Sequence, residues 1–180
     1  NLLSQPADPI ELCSDETYEV EIKNTKTGTV YDIVFDITLP TPGISFVSGS
    51  FEFAYPYDDV SPATVADPVF VTSTADGDVY RFNLNDISPN LDSNNGIMGV
   101  PVADPADNRA FLRFDVETDC NYTTGGILRF SGGGTDPCGE PASSILQSSL
   151  PYYIDGATPY TISPSIASST TNFEACDANG

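Results

Sequence analysis

The chain has 180 residues and a formal net charge of −20, from 26 acidic and 6 basic side chains, and it contains no histidine. A surface so short of Lys and Arg repels nucleic acid and anionic membrane, both of which are bound through cation–phosphate contacts, and the missing histidine removes the commonest general base and zinc ligand. Ten Phe and nine Tyr are too many for a disordered chain, while 15 Pro and 14 Gly interrupt every window long enough for a helix, so the chain reads as folded and mostly β.

Residues 1–10, punctuated by Pro6 and Pro9, read as an incoming linker or an edge strand. Over 17–24, Tyr18, Val20 and Ile22 fall on one face and Glu19, Glu21 and Lys23 on the other, the period of a strand with one buried side. Over 30–39, Tyr31, Ile33, Phe35, Ile37 and Leu39 share a face, with Asp32 and Asp36 opposite. The 25–29 link, containing Gly28, is short enough to make these two runs hairpin neighbours. Pro40 and Pro42 must leave the sheet, because neither can donate to a ladder. Residues 44–47 and 51–55 resume it around a bulge or turn at Gly49.

Residues 55–67 form a loop. Runs 69–74 and 79–84 flank Ala75-Asp76-Gly77-Asp78, the strongest local hairpin signal in the chain. Residues 85–109 are long and polar, and a loop of that length in a compact domain is usually functional or hides a short strand, here 96–102. Over 111–117, Leu112, Phe114 and Val116 point inward and Arg113, Asp115 and Glu117 outward. Residues 126–131 make another strand, followed by a Gly-rich turn, SGGGTDPCGEP. Weaker strands fall at 144–150, 152–154 and 160–162, ahead of a Ser/Thr-rich tail. The pattern is that of an antiparallel β-sandwich with long loops. An echo between PIELC at 9–13 and NFEAC at 172–176 places one module at 1–172, with 173–180 as a linker or the start of a following repeat.

The stretch CSDETYEVEIKNTKTGTVYDIVFDITLPTPGISFVSGS resembles the conserved-repeat Ig-like domains ("DUF eleven" type) of large bacterial surface proteins. Ile22-Lys23-Asn24-Thr25 matches the strand-ending step of those modules, 34–40 their V-x-V-x-D-x-L-P strand, and 43–50 their glycine-to-Gly-Ser segment. The later FLRFDVETDC…GILRFSGGGTDPCG is similar to the ending of such modules in secreted proteins of the Bacteroidota, among them giant adhesins associated with gliding motility and type IX secretion. The resemblance implies an Ig-like sandwich on the cell surface, a structural or adhesive role in a stalk alongside neighbouring modules of the same chain, and no catalytic residues.

Four cysteines without a CxxC pair suit an oxidising, extracellular setting. Cys120 and Cys138 enclose 17 residues (138 − 120 − 1), and a bridge closing a loop of that size stabilises by roughly 3 kcal/mol. Cys13 and Cys176 then pair with each other or elsewhere. Loop oxygens at Asp58 and Asp59, Asp76 and Asp78, and Asp104, Asp107 and Asn108 could bind Ca²⁺, although no EF-hand spacing is present and turn capping explains each of them as well. Tyr55, Tyr57, Tyr152 and Tyr153 could stack on a glycan or sit half-buried in a sheet, and Asn121-Tyr122-Thr123 fits a glycosylation sequon. With no nucleophile motif, the chain reads as non-enzymatic. A calcium- or glycan-binding module using the 85–109 loop is the alternative to a stalk segment.

Overall fold

The computed structural model describes residues 2–4, 15–91, 96–119, 122, 126–142 and 152–154. In chain order the first strands are β1 (Leu2–Ser4), β2 (Asp15–Lys23), β3 (Tyr31–Leu39), β4 (Ile44–Phe46), β5 (Glu52–Ala54) and β6 (Ala63–Thr64). After them come β7 (Val69–Thr74), β8 (Gly77–Asn83), the single helical turn α1 (Leu84–Ile87), β9 (Arg109–Thr118), β10 (Gly126–Thr135), β11 (Pro141–Ala142) and β12 (Tyr152–Ile154). One sheet runs β1-β2-β9-β5-β6, with β4 also on β9; the other runs β11-β10-β3-β8-β7, with β12 also on β10, and every pairing is antiparallel. The chain is an all-β, Ig-like antiparallel sandwich.

The alternations seen in the sequence set its inner faces. Tyr18, Val20 and Ile22 of β2 and Ile33, Phe35, Ile37 and Leu39 of β3 are all buried. Those two strands are not a hairpin, however. β2 pairs with β9 across nine residues, from Asp15 opposite Glu117 to Lys23 opposite Arg109, whereas β3 lies in the other sheet between β8 and β10. The 24–30 link therefore crosses the roughly 10 Å between packed sheets. Each strand buries one face only, and facing sheets let the two faces meet.

Phe114 stands at the centre of the core. Its ring stacks on Phe51 at 5.3 Å and on Tyr18 at 5.7 Å, and meets Phe46 at 5.5 Å and Phe130 at 6.4 Å edge-on. These are the separations at which ring quadrupoles add to area burial. β9 is also covered on its outer side. Phe111 is fully buried there, under Tyr57 edge-on at 5.7 Å and the Arg113 guanidinium. Glu21, outward by alternation, is buried too, with its carboxylate accepting from Arg109 Nη1 at 3.0 Å.

The glycine run is strand rather than turn. β10 continues through Gly132–Gly134 opposite β3, and a Cβ at Gly134 would fall 2.6 Å from Tyr31 O and from Val30 Cγ1. Glycine is there so that two backbones can approach. The turn lies beyond, where Asp136 Oδ1 accepts from Cys138 N at 2.8 Å and Glu140 N at 3.0 Å. At the other end of β10, β12 falls where a weak strand is read at 152–154; the candidates at 144–150 and 160–162 and the tail lie outside the described residues.

Burial of the tyrosines gives a pH expectation. Tyr18, Tyr55, Tyr57 and Tyr80 are all held above the usual phenol value, first by desolvation, with nearby carboxylates adding to it: Glu16 beside Tyr18, Asp107 beside Tyr55, Asp59 beside Tyr57 and Asp78 beside Tyr80. A raised folded-state pKa means that the unfolded chain loses its protons first. Stability from these groups is thus complete below about pH 10 and is lost as the pH rises through the raised values. Denaturant titrations from pH 8 to 11 are expected to give a midpoint that is flat at first and falls above about pH 10.

Candidate functional site

The 85–109 segment is the feature from which a binding loop was expected, and its construction decides what it can do. It opens on α1, capped by the Asn83 side chain accepting from Asn85 N at 3.3 Å. It then buries Leu91 and Ile97 in the same cluster as the sheet core. The strand expected at 96–102 is a single bridge: Val30 and Ile97 exchange both backbone hydrogen bonds at 3.0 Å.

Two side chains outside the segment hold it. Asn24, at the end of β2, donates through Nδ2 to Gly28 O at 2.9 Å and Ile97 O at 3.1 Å, while its Oδ1 accepts from Lys26 N at 3.0 Å. Its backbone N–H donates to Asn108 O at 2.9 Å. The Tyr55 hydroxyl lies 2.8 Å from Asp107 O and 3.0 Å from Gly96 O, and accepts from Met98 N at 3.4 Å. A Cβ at Gly99 would meet Lys26 O and Gly28 O, so the segment lies directly on the 24–30 link. Because buried backbone groups must be paired, these contacts make the segment part of the fold.

The residues proposed for calcium have structural contacts of their own, through the side chain or the backbone carbonyl. Asp104 Oδ1 accepts from Ala106 N at 2.8 Å, and Asp107 and Asn108 offer their carbonyls to Tyr55 and Asn24. Asp78 accepts from Ser73 Oγ at 2.6 Å, and Asp76 pairs with Arg129 at 3.3 Å. Asp58 Oδ1 caps Val60 N and Ser61 N. The structure does not bring these groups together. Asp78 stands opposite Leu39, at the end of β3 remote from Tyr31, whereas Asn108 is joined to Asn24 at the other end of the sandwich. Among the described residues no three His, Cys, Asp or Glu side chains cluster as a metal site would require.

Nor do the tyrosines form an open row. Tyr57 lies under the Arg109 guanidinium, 4.2 Å from its ring centroid, and Tyr55 points into the segment; the side chains of Tyr152 and Tyr153 lie outside the described residues. Arg109 is the residue that sequence reasoning missed. It binds Glu21 and Pro105 O and covers Tyr57, tying β2, β9 and two loops together. Its one signal is its place at the start of an alternating strand.

Cys138 is a free, exposed thiol in the 136–140 turn; Cys13, Cys120 and Cys176 lie outside the described residues. The expected 120–138 bridge falls on Cys120, outside the described residues, and of its two neighbours in the chain only Asp119 is described. Asp119 N donates to Gly43 O, beyond the Leu39 end of β3, while Cys138 follows Thr135, which faces Tyr31 at the opposite end. Asp15 and Glu117, two residues after Cys13 and three before Cys120, are ladder partners. Peptide mapping of the unreduced protein checks the expected 120–138 and 13–176 pairings directly.

No family model matches this sequence, and no curated protein does. Among solved structures the chain is similar to the collagen-binding domain of Erysipelothrix rhusiopathiae surface protein RspB, with 11% identity, TM-score 0.46 and coverage of 78% of this chain and 41% of that one. It is also similar to domains D2 and D3 of the major pilin SpaD from Corynebacterium diphtheriae, with 13% identity, TM-score 0.47 and coverage of 84% and 48%. The chain thus spans less than half the length of either. Among the described residues no helix is long and apolar enough to cross a membrane.

Proposed function

We propose that this chain is a structural and adhesive module of a long bacterial cell-surface protein, serving as a stiff extracellular segment of a stalk or fibre. The observation that carries the reading is the bracing of the 85–109 segment. Among its described residues, backbone groups of Gly96, Ile97, Met98, Val100, Asp107 and Asn108 are bonded to Asn24, Tyr55 and the 24–30 link, and Leu91 and Ile97 are buried in the core. A segment held in that way resists deformation. The nine-pair ladder of β2 with β9 adds stiffness of the same kind. A parent of the gliding-associated, type IX secreted kind in the Bacteroidota, with one module at 1–172 and a further repeat after it, is the finer form of the proposal and rests on the sequence resemblance.

Antibodies against the purified chain test the location. Labelling of intact cells of the source organism is expected, and labelling only after lysis would contradict the reading. A glycan and matrix-protein array probed with the chain, with and without chelator, separates stalk from ligand-binding module. The stalk reading expects no chelator-sensitive signal, and a specific one would transfer the function to the loops.

A further inference from the structure

The edges of the two sheets are not equally protected. The first sheet closes on the three-residue β1 and the two-residue β6, and one end of the second on the two-residue β11, each too short to template another strand. The remaining edge is β7, six residues long. It pairs with β8 on one side, and no described strand pairs with the other. All six of its residues are exposed, including the consecutive apolar side chains Val69, Phe70 and Val71 at 71%, 52% and 43%. Phe70 has one ring neighbour, Tyr80, edge-on at 5.7 Å.

Exposed edges are normally blunted by lysine, by proline within the strand, by an inward charge or by a β-bulge. The sequence VFVTSTA over 69–75 carries no Lys, Pro or charge, and its one such device is the register shift between Phe70 and Thr72, which leaves Thr72–Thr74 paired in regular register with Gly77–Val79. The flanks are acidic in balance: Arg129 pairs with Asp76, and Arg81, opposite Val69, pairs with Asp36, while Asp67 and Asp78 have no ion pair among the described residues. Residues 56–80 hold five Asp and neither Lys nor Arg, with Asp67 just before β7 and Asp76 and Asp78 just after it. An uncharged apolar edge between acidic ends suits a strand that is apolar in the middle and basic at its ends. A second copy of the chain would bring a further −20 to the contact and is disfavoured by like-charge repulsion.

We propose that the β7 edge is a docking site for an extended segment of a partner protein, added as one more strand, with apolar or β-branched residues at its centre and Lys or Arg at its ends. Main-chain hydrogen bonds would supply affinity and alternate side chains specificity, as in other cases of strand addition. Docking here does not depend on where the chain is displayed.

The test uses a fluorescent peptide of alternating Val and Thr with two Lys at each end, beside one with Glu ends and one with proline at its centre. Anisotropy and amide chemical shifts are read on the intact chain and on the V69K/V71K variant; both side chains are exposed, so the variant's melting temperature is expected to match the parent's within a degree or two. The expected result is binding of the Lys-ended peptide that weakens with salt, amide shifts centred on β7 and β8, and at least about tenfold loss in the variant. The Glu-ended and proline peptides are expected not to bind. Equal binding of Lys- and Glu-ended peptides, binding indifferent to the variant, or no binding at about millimolar peptide would each overturn the proposal. So would sedimentation showing that the chain alone dimerises through β7.

Discussion

Replacing Phe114 with alanine is expected to cost about 3–5 kcal/mol, the range for deleting a buried aromatic, and to lower Tm by roughly 10–15 °C at ~3 °C per kcal/mol for a chain of this size. Phe114 is fully buried and touches rings from both sheets: Tyr18 on β2, Phe46 on β4, Phe51 just before β5 and Phe130 on β10. Truncation therefore leaves a cavity that no single strand can close by shifting. Phe114→Leu keeps much of the volume and should cost less than half as much. Thermal melts followed by circular dichroism check both, and equal losses for the two variants would mean that ring geometry matters more than filled space.

The second large effect is expected at Asn24. Asn24→Ala removes three hydrogen bonds at once and leaves Lys26 N and Gly28 O without this partner, while Ile97 O keeps its bond from Val30 N. Each buried polar group left unpaired costs about 1–3 kcal/mol. Water will reach part of the link, so the sum is discounted to about 2–4 kcal/mol, or a Tm lower by roughly 10 °C. Asn24→Asp keeps the acceptor and loses the donor, so it should fall between alanine and the parent. A near-parental melt for Asn24→Ala would show that the 85–109 segment is not held through this residue.

Much of this arrangement is written in local pattern. β2, β3, β8 and β9 follow from alternation at Tyr18–Ile22, Ile33–Leu39, Phe82 and Leu112–Val116, and the Asp76-Gly77 turn marks the β7–β8 hairpin. Pairing is less legible. A link of the length of 25–29 can return a strand to its own sheet or carry it across to the facing one, and only β9 and β10, ninety residues or so further on, decide which. Gly132–Gly134 read as a turn because glycine is the usual turn residue. The reason at Gly134, the close approach of the Tyr31 carbonyl and the Val30 side chain, is a tertiary one.

The candidate site was the least legible part. Polar, Pro-rich 85–109 has the composition of a loop, and nothing local reveals that Ile97 and Leu91 are core residues or that Asn24, some seventy positions earlier, anchors the segment. Single carboxylates have the same ambiguity: an Asp that caps a turn and an Asp that binds calcium share a sequence context, and only their convergence separates the two. In the same way, the 17 residues between Cys120 and Cys138 read as a hairpin-like segment, whereas Gly126–Thr135 within that interval is one continuous strand, β10.

Native-state hydrogen exchange at Ile97, Met98, Val100 and Asp107 tests the central claim most directly, since their amides are bonded to Val30, Tyr55 and Asp107, Lys26, and Asp104 respectively. If the segment is part of the sandwich, Ile97 and Met98 should exchange only on global unfolding, with the same free energy and denaturant dependence as amides in β3 and β9. Exchange at close to the free-chain rate, with β3 and β9 still protected, would contradict the account and return 85–109 to the status of an independent loop.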